Sequence, residues 1–155
     1  MFRENRDKKE SIIDGEKLKI AIVAAEFNDD IVGRMQDAAI EILHKNGVKE
    51  ENIQLIKVPG AFEIPLACQK LVEKNNLDAI VILGCVIKGE TDHYYYIASE
   101  VSRGAMDVML KFSIPIGFGI ITTDNLGQAV ERSSGKNNKG REAASAALKM
   151  LAIKF

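Results

Sequence analysis

Ala79-Ile80-Val81-Ile82-Leu83 runs without a single charge before Gly84 interrupts it. Side chains along a strand alternate between two faces, so a run this apolar needs both faces buried, as in a parallel sheet covered by helices on each side. Working outward, Ile20 to Ala25, Ile53 to Val58 and Ile114 to Ile121 are also short, β-branched and almost free of charge. Four buried parallel strands are therefore predicted.

Longer amphipathic stretches separate these runs. Ile31, Met35, Ala38, Ala39, Ile42 and Leu43 recur at helical spacing until Gly47 stops the pattern. Leu66, Ala67, Leu71 and Val72 form a second stripe, with Pro65 compatible only with its first turn. Ile97, Val101, Ala105, Val108 and Met109 form a third, and Ala143, Ala144, Ala147, Leu148 and Leu151 give a last helix with a small-residue face. Strand and helix in alternation predict an α/β fold, a flavodoxin-like three-layer sandwich with a parallel central sheet. It spans residues 17–155 as one domain behind a polar N-terminal segment, residues 1–16, read as an arm or frayed end. No internal repeat or low-complexity segment interrupts it.

The bulk properties exclude several partners. Charged residues make up 28% of the 155, with a formal net charge of -1, which gives a polyanion such as nucleic acid nothing to be drawn to. Cys68 and Cys85 form no CxxC pair, and His44 and His93 are too far apart for a local zinc knuckle, so reduced thiols and no metal are expected. The first ten residues lack an apolar signal core and no uncharged run reaches membrane-spanning length, which points to the cytoplasm.

In such a sandwich, ligands bind beyond the carboxyl ends of the strands. Those ends deliver Phe27-Asn28, Pro59-Gly60-Ala61-Phe62-Glu63, the stretch from Gly84 to His93, and Thr122-Thr123-Asp124. Gly89 and Thr91 stand just before a helix whose free N–H groups suit a phosphate, with Lys88 adding charge; capping by Thr91 or Asp92 is the plainer alternative. His93 is suited to proton transfer near neutrality, although a histidine at a helix start is often structural. Glu63 either binds substrate or complements a helix dipole. Phe27 and Phe118 are either core aromatics or, if their loops converge, a slot for a flat heterocycle. Gly135 to Gly140 has P-loop spacing but carries Arg141 in place of lysine, and no strand precedes it. Gly117 and Gly119 lack the third glycine of a dinucleotide fingerprint.

In order and spacing, these segments resemble the 6,7-dimethyl-8-ribityllumazine synthase family from about Leu18 to Ile153. The resemblance is carried by Phe27-Asn28, the run from Val58 to Pro65, Gly84-Cys85-Val86-Ile87-Lys88-Gly89, His93-Tyr94, Phe118-Gly119-Ile120, the run from Thr122 to Asn125, the run from Gln128 to Arg132, and Asn138-Lys139-Gly140. It implies a cofactor-free condensation of 5-amino-6-(D-ribitylamino)uracil with 3,4-dihydroxy-2-butanone 4-phosphate in riboflavin biosynthesis. It also implies that Phe27 stacks on the pyrimidine, Ala61, Phe62 and Glu63 hold the ribityl chain, and Cys85, Val86 and Ile87 offer backbone hydrogen bonds. Phe118 would close the ring pocket, Lys139 would meet the pyrimidine edge, and Glu90 (through its N–H), Thr91 and Arg132 would bind phosphate. His93 would move protons.

Three positions depart from the family pattern: Lys88 where arginine is frequent, Glu90 where a small residue is, and Cys85 where threonine is. The resemblance further implies a homopentamer, twelve of which form a 60-subunit shell in some members, and an association with riboflavin synthase. The same fold could serve as a flavin-binding or receiver-like module. However, no acceptor aspartate ends a central strand, and Glu26, Asp29 and Asp30 would repel the phosphate of a flavin at the first loop.

Overall fold

The structure, a computed structural model, describes residues 12–155. Its order is β1 (Ile20–Ala25), α1 (Asp29–Lys45), β2 (Ile53–Val58), α2 (Ile64–Lys74), β3 (Ala79–Ile87), α3 (His93–Phe112), β4 (Ile116–Thr123), α4 (Leu126–Arg132) and α5 (Lys139–Ala152). The four strands form one parallel sheet in the order β2-β1-β3-β4. From β1 the chain winds outward to β2, then crosses back to β3 on the other side. The loops leaving β1 and β3 consequently diverge, and a crevice opens between them at the carboxyl edge.

The alternation of side chains divides the core in two. Ile20, Ile22 and Ala24 of β1, with Val81 and Leu83 of β3, pack against Val32, Met35 and Leu43 of α1 and Ala144 and Leu148 of α5. Ala21, Val23, Ile80 and Ile82 point the other way, toward Cys68 of α2 and Val101, Ala105 and Val108 of α3. Each large side chain removed from water in this way contributes roughly 1.5 to 3 kcal/mol. The three-layer α/β sandwich expected from the sequence is the one observed.

The elements differ from expectation in four places. β2 is an edge strand with Gln54, Leu55 and Lys57 exposed, so its near-absence of charge does not reflect burial on both faces. β3 continues past Leu83 to Ile87, which puts Gly84, Cys85, Val86 and Ile87 in the strand rather than in the loop. β4 begins at Ile116 because Ile114 still donates to the Met109 carbonyl at the end of α3. Periodicity does not predict α4, whose start is fixed by the Asn125 side chain accepting from the Gln128 N–H at 2.9 Å.

Glycine sets the closest approaches. A Cβ at Gly117 would collide with the Ala143 carbonyl of α5, and one at Gly119 would lie 2.6 Å from Leu83 Cδ2. α5 therefore lies directly on the backbone of β4. At the other side of α5, a Cβ on Gly140 would run into the Met35 carbonyl of α1. Of the expected N-terminal arm, residues 1–11 lie outside the described residues. The Ile12 N–H donates to Asn46 Oδ1 at 2.6 Å and the Gly15 N–H to the Asn46 carbonyl at 2.7 Å, which fastens the chain entrance to the end of α1.

Candidate active site

Beyond Ala25, the β1 ladder continues for two residues: the Glu26 N–H donates to the Val58 carbonyl at 2.8 Å and the Phe27 N–H to the Pro59 carbonyl at 3.1 Å. Asn28 then adopts a left-handed conformation (φ 59°, ψ 44°) and turns the chain into α1, its carbonyl accepting from Ile31 and Val32. A neighbouring hydrogen bond leaves the Asn28 side chain, whose Nδ2 donates to the Cys85 carbonyl of β3 at 2.9 Å. Held from both sides, Phe27 is 71% exposed. A large aromatic fixed at a crevice and left open to solvent is a surface for stacking rather than part of the core.

The loop after β2 makes one short 3-10 turn, Ala61–Glu63, before α2. Ala61 is buried, whereas Phe62 and the Glu63 carboxylate face solvent. At the end of β3, Cys85 is 3% exposed and Val86 and Ile87 are half-buried, and the Lys88 N–H donates to the Thr123 carbonyl at 2.8 Å. Gly89, Glu90, Thr91 and Asp92 are exposed and lead into His93, the first residue of α3.

Neither capping candidate closes the start of α3. Asp92 makes no side-chain cap, and Thr91 Oγ1 accepts from the His93 N–H only at 3.5 Å. The positive end of a twenty-residue helix is thus left open toward the rim. The Lys88 ammonium stands 5.6 Å from the centre of the Tyr95 ring. Contact with the Tyr95 phenol, then its charge and that of Asp124, hold the Lys88 pKa above the ordinary lysine value, so the lysine remains a cation.

The chain brings Phe27, Ala61, Phe62, Glu63, Cys85, Val86, Ile87, Glu90, Thr91 and His93 to the carboxyl ends of β1, β2 and β3. The remaining candidates lie on elements around the far edge strand, β4. Phe118 pairs with Ile82, three positions short of Cys85, or about 10 Å back along the strand. It is 47% exposed on the α3 side, beside a groove of about 260 Å³ formed with Ser102, Ala105, Met106, Met109 and Ile116. Phe27 and Phe118 therefore do not form one slot within a single chain. Arg132 ends α4 and donates through Nη1 to the Gln128 carbonyl at 3.2 Å, and no acidic partner lies against it among the described residues. Lys139 opens α5 and is paired with the Glu142 carboxylate at 2.9 Å.

Burial pushes the Cys85 thiol up to about 11 and the Cys68 thiol to about 12, so both are protonated near neutral pH and neither is an activated nucleophile. No group of three or more metal-binding side chains occurs among the described residues. The sequence assigns Asn28 no role beyond its place beside Phe27. Its signal, an asparagine at a helix entrance where a left-handed turn is needed, is common and does not reveal the partner 57 positions away.

The sequence pattern of the 6,7-dimethyl-8-ribityllumazine synthase family matches residues 17–154. A 6,7-dimethyl-8-ribityllumazine synthase from Desulfovibrio desulfuricans is 45% identical over 142 residues, which cover 91% of this chain and 91% of that protein.

Proposed function

The chain belongs to the 6,7-dimethyl-8-ribityllumazine synthase family, and from that premise we propose how its rim carries the condensation. The reaction joins 5-amino-6-(D-ribitylamino)uracil to 3,4-dihydroxy-2-butanone 4-phosphate and releases phosphate and water. The amine of the first substrate attacks the ketone of the second, so the protein needs to supply neither a nucleophile nor a cofactor. What it supplies is placement and proton transfer.

Phe27 offers the stacking face for the pyrimidine, the Ala61–Glu63 turn faces the ribityl chain, and the β3 end at Cys85, Val86 and Ile87 lines the floor. The N–H groups of Glu90 and Thr91 at the open start of α3 receive the phosphate, and Arg132, whose partner among the described residues is the Gln128 carbonyl, adds the charge-assisted contact. His93, exposed at the same helix start, exchanges protons during imine formation, phosphate loss and ring closure. Holding both substrates makes a bimolecular encounter local, worth up to roughly 7 to 11 kcal/mol in ideal cases, so orientation outweighs acid–base help.

The site is completed by a second copy of the chain. Phe118, Arg132 and Lys139 lie on β4, α4 and α5, around the far edge strand, whereas Phe27, Glu63 and His93 lie beyond β1, β2 and β3; in this reading a neighbouring subunit supplies the first three to the rim of the other. A ring of five, with heterologous contacts, meets that need. Closure of twelve such rings into a shell, a cytoplasmic setting and association with riboflavin synthase, which consumes the product, belong to the same reading.

The observation that carries the proposal is the convergence of an exposed, doubly held Phe27, the Glu63 carboxylate and His93 at an uncapped helix start on one rim. The test is direct. The purified chain, given both substrates and a chelator but no metal, is expected to form the lumazine, followed by its absorbance. Absence of product under those conditions overturns the proposal.

A further inference from the structure

Beyond the last ladder pair, Ala24 with Leu83, the two sides of the crevice between β1 and β3 are bridged by a side chain. The backbone of Phe27 is fixed to the β2 side through the Pro59 carbonyl, at 3.1 Å. Among the described residues, the Asn28 amide reaches the β3 side, donating to the Cys85 carbonyl at 2.9 Å. Asn28 is well suited to this because its left-handed backbone (φ 59°) aims the side chain back across the sheet edge rather than along α1, and it makes no cap bond to that helix. Resting on the functional reading above, we propose that Asn28 is a positioning residue for the pyrimidine substrate: its bridge to Cys85 sets the spacing between the Phe27 ring and the end of β3.

The sugar phosphate does not depend on this bridge, because its subsite is built from the start of α3 and Arg132. Loss of the bridge therefore weakens one substrate selectively, which distinguishes positioning from a general contribution to the fold. Two replacements separate backbone from side chain. Asn28→Gly keeps the positive φ without strain and removes the donor. Asn28→Asp keeps size and tolerance of the left-handed region but sets a carboxylate oxygen against the Cys85 carbonyl.

Steady-state kinetics on the assembled enzyme are expected to show the KM for the pyrimidine raised about fivefold in both variants, the size of one lost hydrogen bond. The KM for the sugar phosphate stays within twofold. In a Phe27→Ala background, Asn28→Gly is expected to add no further change, because the ring through which the bridge acts is gone. An active wild type whose two Asn28 variants keep the pyrimidine KM, or raise both KM values equally, overturns this inference and leaves the family reading standing. A wild type that forms no lumazine overturns both.

Discussion

The same substitution, glycine to alanine, is expected to have opposite effects at two helical positions. Gly33 lies in α1 with nothing within 4 Å of a prospective Cβ. Gly140 lies in the first turn of α5, where a Cβ would overlap the Met35 carbonyl and stand 2.7 Å from Met35 Cα. Alanine is favoured over glycine in a helix by about 0.8 to 1 kcal/mol, which is the whole effect at Gly33. At Gly140 the same gain is opposed by overpacking against backbone, which cannot rotate away. Overpacking costs typically about 1 to 3 kcal/mol, and the upper end applies because α1 and α5 must separate along their full contact. The net result is a loss of about 2 kcal/mol.

For a chain of this size, 1 kcal/mol moves the melting midpoint by about 2 to 4 °C. Gly33→Ala should therefore melt a few degrees higher than the wild type and Gly140→Ala about 4 to 8 °C lower. Calorimetry or circular dichroism at one fixed protein concentration measures both. A Gly140→Ala variant as stable as Gly33→Ala would refute the reasoning, because it would mean that α5 does not lie at backbone contact on α1.

Two further outcomes are expected. Because burial raises Cys85 to about 11 and Cys68 to about 12 from an ordinary 9.0, the folded state keeps protons that the unfolded state releases. Their contribution is whole below pH 9 and declines as pH climbs toward those values. Native protein at pH 8 is therefore expected to resist a thiol reagent until denaturant is added, and prompt native labelling would count against it. If the site is shared between copies, His93→Ala and Arg132→Ala chains refolded together should exceed the mean activity of the two parents, since some interfaces then carry neither change. Mixed rings verified by mass that show no gain would place each site within one chain.

The sheet was legible because its central strands are buried on both faces: Ile20 to Ala25 and Ala79 to Leu83 can be read only one way. β2 misleads for a simple reason. An edge strand with one lysine and one glutamine looks almost as apolar as a buried one, and sequence does not reveal which strand lies at the edge. The ends of β3 and β4 are set by mutual pairing, Ile87 with Thr123, which is a long-range property invisible locally.

Among site candidates, the rim position of Phe27, Glu63 and His93 was legible because each lies in the connection between a strand and the helix after it. The Asn28 bridge was not, because its acceptor is a backbone carbonyl and a carbonyl leaves no mark in the sequence. The placement of Phe118 depends on how far β4 runs past it. Sequence order alone puts Phe118 near the end of the strand, and the register puts it short of the rim.

The glycines of β4 give this edge strand an unequal pair of faces. Where Gly117 and Gly119 meet α5 there is no side chain to alter, and backbone lies on backbone. The alternate positions, Ile116, Phe118 and Ile120, direct their side chains toward the α3 side. A change at Phe118 therefore alters what the strand presents on the α3 side without touching the helix behind it, whereas a single methyl group at Gly117 would lift that helix away. Packing against the helix thus constrains the strand from one side alone, and the chemistry it can offer lies on the other.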